Sequence, residues 1–84
     1  MPPCMELLAK AKSIPKGIRF TDLCALATCY GWHFDRKGGS HHIFKRMGHT
    51  QLMNFQDDNG MAKAYQVRQL VRAIEALHGG DDSR

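Results

Sequence analysis

Trp32-His33-Phe34-Asp35-Arg36-Lys37-Gly38-Gly39-Ser40-His41-His42-Ile43-Phe44-Lys45 is the run that decides the fold. Trp32 and Phe34 alternate with polar neighbours, and the residues from Ser40 to Lys45 alternate again, which is the period-two signature of strands with one buried face. Between them Lys37-Gly38-Gly39 reads as a hairpin turn, because glycine supplies the backbone conformations that reverse a strand. The stretch is therefore expected to be a β-hairpin.

Upstream of it, Thr21 can cap a helix whose apolar positions Leu23, Leu26, Ala27 and Tyr30 recur at helical spacing, and Gly31 stands where that helix should stop. Residues 4 to 13 carry Leu7, Leu8 and Ala11 among lysines, but Pro15 and Gly17 end any helix there, so residues 1–16 read as a lightly packed arm. Downstream, a loose connection through Met47-Gly48-His49 leads to Leu52-Met53-Asn54-Phe55, a third strand bounded by the turn residues Asp57-Asp58-Asn59-Gly60. A last helix shows an apolar stripe of Val67, Leu70, Val71, Ile74 and Leu77 and is expected to end at His78-Gly79-Gly80, leaving residues 79–84 as a flexible acidic tail. The order helix, three antiparallel strands, helix defines an α+β fold with both helices on one sheet face and the other face open.

Eighty-four residues allow one modest core and therefore one domain. With 43% hydrophobic and 24% charged residues and no long apolar run, nothing in the composition calls for a membrane span. The N-terminal residues lack the pattern of a secretory signal, which favours the cytoplasm. Three cysteines, an odd number, favour reduced thiols. Cys24 and Cys29 would lie roughly 140° apart on their helix, unable to share a disulfide or a metal.

The net charge is +4, and from Arg36 to Arg72 the basic residues are Arg36, Lys37, Lys45, Arg46, Lys63, Arg68 and Arg72, with Asp35, Asp57 and Asp58 as the acids of that region. A polyanion such as RNA suits that field; a solvated basic surface without a ligand is the plain alternative.

His41 and His42 follow the glycine turn between two basic clusters. An imidazole with an ordinary pKa near about 6.5 can take a proton from an RNA 2′-hydroxyl, whose oxygen then attacks the adjacent phosphorus without a metal. Lys37 and Lys45 can stabilise the charge that accumulates on phosphorus, and the N–H groups of Gly38, Gly39 and Ser40 can hold a phosphate oxygen. Alternation sends His41 and His42 to opposite faces, and since Ile43 accompanies the first and Phe44 the second, periodicity leaves open which one faces outward. No Cys-x-x-Cys or His-x-x-x-His pair is present to build a zinc site. Trp32, Phe34 and Phe55 read as core residues, His33 as a surface residue, and His49 and His78 as solvated loop residues.

The run Gly39-Ser40-His41-His42-Ile43-Phe44 resembles the Gly-Ser-x-His signature of HicA toxins, preceded as in that family by a helix, a Gly-aromatic strand start and an Arg-Lys pair. Leu52-Met53-Asn54-Phe55 and Lys63-Ala64-Tyr65-Gln66-Val67-Arg68-Gln69-Leu70 are similar to a subgroup of the same family, and together these segments cover most of residues 17–78. The resemblance implies a fold like that of double-stranded-RNA-binding domains, metal-independent cleavage of messenger RNA, no cofactor, and a HicB-like antitoxin as protein partner. It makes His42 the reactive residue, with His41, at the variable position, second. Arg36, Lys37, Gly38, Gly39, Ser40, Lys45, Lys63 and Arg68 are the residues expected to contact RNA. The rival readings are a non-catalytic RNA-binding module of the same fold and a protein whose basic surface only docks an acidic partner.

Overall fold

The computed structural model describes residues 4–82, with side chains described as far as Leu77. Its elements are α1 (Cys4–Ser13), a short 3-10 turn (Pro15–Gly17), α2 (Phe20–Cys29), β1 (Trp32–Gly38), β2 (His41–Arg46), β3 (His49–Gln56) and α3 (Ala64–Asp82). The strands form one antiparallel sheet in the order β1-β2-β3. Trp32, Phe44, Met53 and Phe55 project from one face of it and are buried with Leu23 and Leu26 of α2 and Val67, Leu70 and Ile74 of α3. Both helices therefore cover the same face, as the apolar stripes require.

The N-terminal segment departs from expectation. It is a packed helix rather than a loose arm: Leu7 and Ala11, one turn apart, are both buried in the common core. A covalent link reinforces the packing, since Cys4 at the start of α1 is disulfide-bonded to Cys29 at the end of α2, leaving Cys24 as the free cysteine. The expectation of reduced thiols thus fails for two of the three. The partner of Cys29 lies on another element, where helical spacing within α2 carries no information.

Other boundaries move by a few residues. Helix α2 begins at Phe20 with Arg19 as its N-cap, so Thr21 is not the cap; Leu23 N–H already donates to the Arg19 carbonyl at 3.0 Å. Gly31 ends the helix as expected, with φ of 101°. The first reversal falls on Gly39-Ser40 instead of Lys37-Gly38-Gly39, because Gly38 still pairs with His41; Gly39, with φ of 61°, takes the first central position of that turn. Arg46 pairs with His49, so Met47-Gly48 is a tight turn and β3 starts three residues before Leu52. Helix α3 continues through Gly79-Gly80 to Asp82, which removes most of the expected flexible tail; the His78 side chain, Ser83 and Arg84 lie outside the described residues.

Phe34 is the one expected core aromatic that is not buried, being 54% exposed, while Trp32 and Phe55 are sealed. His49 is half-buried rather than solvated, its ring edge-on to Trp32 at 5.3 Å. His33 is exposed, as read.

Burial pushes the Cys24 thiol up to about 11, helped by the Asp57 carboxylate, so its reactive thiolate is scarce at neutral pH. Alkylation of denatured, unreduced protein is expected to label Cys24 alone; three labels per chain would contradict the disulfide. Replacing Cys4 and Cys29 by serine is expected to lower the unfolding free energy by roughly 3–4 kcal/mol in urea melts, the effect of releasing a loop of this size.

Candidate active site

The face on which each side chain of the hairpin lies is set by β2. Phe44 is buried against Phe55, with ring centroids 5.3 Å apart, and the period of two then carries His42 to the same, helix-covered face. His41 consequently points to the open face, where its Nδ1 lies 3.0 Å from Asn54 Oδ1. His42 is not sealed by this arrangement. It stands two residues beyond Phe44 toward the hairpin tip, and it is only half-buried.

Strand β1 contributes through an irregularity. Phe34 pairs with Phe44, but Arg36 pairs with Ile43 and Lys37 with His42, so Asp35 is an extra residue in a bulge. The extra residue reverses the alternation: Lys37 shares the face of His42, and Arg36 is turned to the opposite face. The bulge lies directly after Phe34 and accompanies its exposure; the Phe34 ring nevertheless flanks His42 at 5.9 Å.

A second aromatic holds the imidazole from the helix side. Phe20, the first residue of α2, lies 4.7 Å from the His42 ring, tilted by 58°. What places Phe20 is the turn after β3. Asn59 and Gly60 have φ of 53° and 87°, and Asp58 and Met61 exchange hydrogen bonds of 3.0 Å across them, so Asn-Gly makes the reversal it favours. This turn lies against residues 18–20: Phe20 N–H donates to the Gly60 carbonyl at 2.9 Å and Ala62 N–H to the Ile18 carbonyl at 2.9 Å.

The same turn is tied to the hairpin. Asp57 N–H donates to the Ser40 carbonyl at 3.0 Å, and Asp57 Oδ1 accepts from Gly60 N–H at 2.7 Å. His42 Nδ1 lies 3.4 Å from that Ser40 carbonyl, a long hydrogen bond in which the ring nitrogen must be the donor. The contacts close on themselves, running from His42 to Ser40, Asp57, Gly60, Phe20 and back to His42. In the neutral imidazole, a proton on Nδ1 leaves the lone pair on Nε2. The site therefore presents an oriented base, with Lys37 opposite it on the neighbouring strand.

The expected RNA-contacting residues divide. Lys37, Gly38, Gly39 and Ser40 are with His42 at the tip. Lys63 reaches the neighbouring turn, with its Nζ 3.2 Å from Asp58 Oδ2. Arg36 and Lys45 lie on the open face, both paired with Asp35, Lys45 at 3.8 Å. Arg68 lines a surface cavity of about 280 Å³ between α1 and α3 with Ala11, Lys12 and Arg72, and no contact joins it to His42. Among the described residues no three His, Cys, Asp or Glu side chains converge as a metal would require. Phe20 and Asp57 were absent from the sequence reading of the site. The turn chemistry of residues 57–60 was legible, but nothing in the spacing says that this turn docks on the start of α2.

No family model, curated protein or solved structure matches this chain.

Replacing Phe20 by leucine keeps an apolar side chain and removes the ring against His42. We expect a loss of about 1 kcal/mol in stability together with a clear shift of the His42 Cε1–H resonance; an unmoved resonance would contradict the ring contact.

Proposed function

We propose that this chain is an endoribonuclease in which His42 removes the proton from an RNA 2′-hydroxyl. The observation that carries the proposal is the presentation of one half-buried imidazole at the accessible tip of a hairpin, its Nδ1 directed to the Ser40 carbonyl and a lysine opposite it on the next strand. Such a base is useful on a substrate that carries its own nucleophile. As Nε2 accepts the proton, the 2′-oxygen attacks the adjacent phosphorus and the bond to the 5′-oxygen of the next nucleotide breaks. The products are a 2′,3′-cyclic phosphate and a 5′-hydroxyl, the leaving oxygen taking a proton from an acid or from water. Lys37, paired with His42 across the strands, would balance charge building on the phosphoryl oxygens, and the Gly38-Gly39-Ser40 turn would offer backbone donors beside it. None of these residues requires a metal to act.

The signature Gly39-Ser40-His41-His42 extends the proposal to a toxin of the HicA kind, acting on messenger RNA in the cytoplasm and restrained by a HicB-like antitoxin. Helices on one face of a three-stranded sheet, as in double-stranded-RNA-binding domains, suit recognition of RNA by backbone and shape. The Cys4–Cys29 bond is the observation that fits a reducing compartment least. The site does not depend on that bond, since it is built from residues 20, 34–42 and 57–60. No described helix is long and apolar enough to cross a membrane.

Purified protein is expected to cleave single-stranded RNA in the presence of EDTA and to leave cyclic phosphate ends. His42→Ala is expected to lower the rate by about 10²- to 10⁴-fold with the fold intact, and His41→Ala to change it far less. Equal cleavage by His42→Ala would refute the assignment. Salt-sensitive RNA binding without cleavage by the wild type would identify a non-catalytic RNA-binding module instead.

A further inference from the structure

At the end of the sheet away from the hairpin tip, β3 and α3 border a second, open surface cavity of about 330 Å³. Its polar lining comes from His49 and Gln51 of β3 and from Gln69 and Arg72 of α3, above an apolar floor that includes Met53 and Ala73. Among the described residues, these four polar side chains make no hydrogen bond or ion pair. Two carboxamides, one guanidinium and one imidazole thus line one groove, Gln51 and Arg72 exposed and His49 and Gln69 half-buried, and Arg72 also borders the cavity between α1 and α3. The volume is of the order of one small-molecule site, and a lining that mixes apolar side chains with a few polar ones is common in such sites.

One residue of that lining, His49, packs against the buried tryptophan. Trp32 is fully buried, and its indole N–H has no hydrogen-bond partner. The His49 ring, which lines the cavity, stands edge-on to Trp32 at 5.3 Å, and the Arg46 guanidinium lies over the indole at 5.3 Å while its Nε donates to the Tyr30 carbonyl at 2.7 Å. His49 therefore packs on the Trp32 ring on one side and lines the groove on the other.

We infer that this cavity binds a nucleotide, its base edge read by Gln51 and Gln69 and its phosphate held by Arg72. Carboxamides both donate and accept, and a glutamine can meet the N6 and N7 edge of adenine with two hydrogen bonds. The guanidinium suits a phosphate, and the imidazole offers a ring beside the base. A simple carboxylate, which only accepts, would use Arg72 and the amide N–H groups but leave both amide oxygens without a donor. The cavity and the His42 tip lie at opposite ends of the paired β2 and β3, since His49 pairs with Arg46 and Phe55 with His42. The inference stands apart from the cleavage reading, and its ligand is either a free nucleotide or one nucleotide of an RNA strand.

Trp32 is the single tryptophan of the chain, so its fluorescence reports on the His49 ring beside it. Titration with 5′-AMP is expected to give a saturable change in that fluorescence, with a Kd of about 1 mM or tighter, and to shift the side-chain amide resonances of Gln51 and Gln69. Gln51→Ala, Gln69→Ala and Arg72→Gln are each expected to weaken binding by about tenfold, the order of a lost two-bond pair, while His42→Ala leaves it unchanged. An adenylate trinucleotide binding much more tightly than 5′-AMP identifies RNA as the source of the ligand; equal affinities identify the free nucleotide. The inference is overturned if neither fluorescence nor amide resonances respond. It is equally overturned if ribose 5-phosphate reproduces the response, or if His42→Ala abolishes it.

Discussion

Burial of Phe44 against Phe55 is the constraint on which the rest of the molecule turns. A strand that places one residue in the core has chosen the face of every second residue, and a slip by one would exchange His41 for His42 throughout. With Phe44 inside, His42 belongs to the covered side, yet near the hairpin tip it is only half-buried. His41 is left on the open face with Asn54. Two adjacent histidines of identical chemistry thereby receive different surroundings, one held by aromatic rings and backbone, the other by a single exposed amide.

The site is assembled from parts that are distant in sequence, and turns do most of the assembling. The Asn59-Gly60 reversal presents its carbonyl to Phe20, and Asp57 joins that reversal to the Ser40 turn. The bulge at Asp35 performs a different task, bringing Lys37 to the face of His42 while sending Arg36 to the other side. Without the extra residue, strict alternation would place Arg36 there and turn Lys37 away. Helix α1 lies outside this arrangement and closes the core from the other flank, held by Leu7, Ala11 and the bond from Cys4 to Cys29.

The legible part of the sequence was the part written in local periodicity. The hairpin, the closing glycine of α2, the Asp57–Gly60 turn and the apolar stripe of α3 each follow from a few consecutive residues, and the order of elements with both helices on one face follows from them. What escaped depended on tertiary choices. Leu7 and Ala11 are too few to announce a packed helix, Cys4 and Cys29 are separated by 25 positions, and a bulge leaves no mark in a pattern of alternating residues. For the site, the Gly-Ser-His-His run singled out the imidazoles, but the face of each required knowing which of Ile43 and Phe44 fills the core. Arg36, Lys45 and Arg68 looked equivalent to Lys37 as charges, and only the fold separates them from the tip.

The proposed cleavage depends on the His42 imidazole holding its proton on Nδ1, toward the Ser40 carbonyl. Nitrogen-15 spectra of the histidine side chains at neutral pH test this directly, since the two tautomers give distinct patterns of long-range couplings. The account predicts that the neutral form of His42 carries its proton on Nδ1, with Nε2 unprotonated. A neutral form protonated on Nε2 would contradict it, because Nε2 would then be a donor and could not serve as the base in the proposed cleavage.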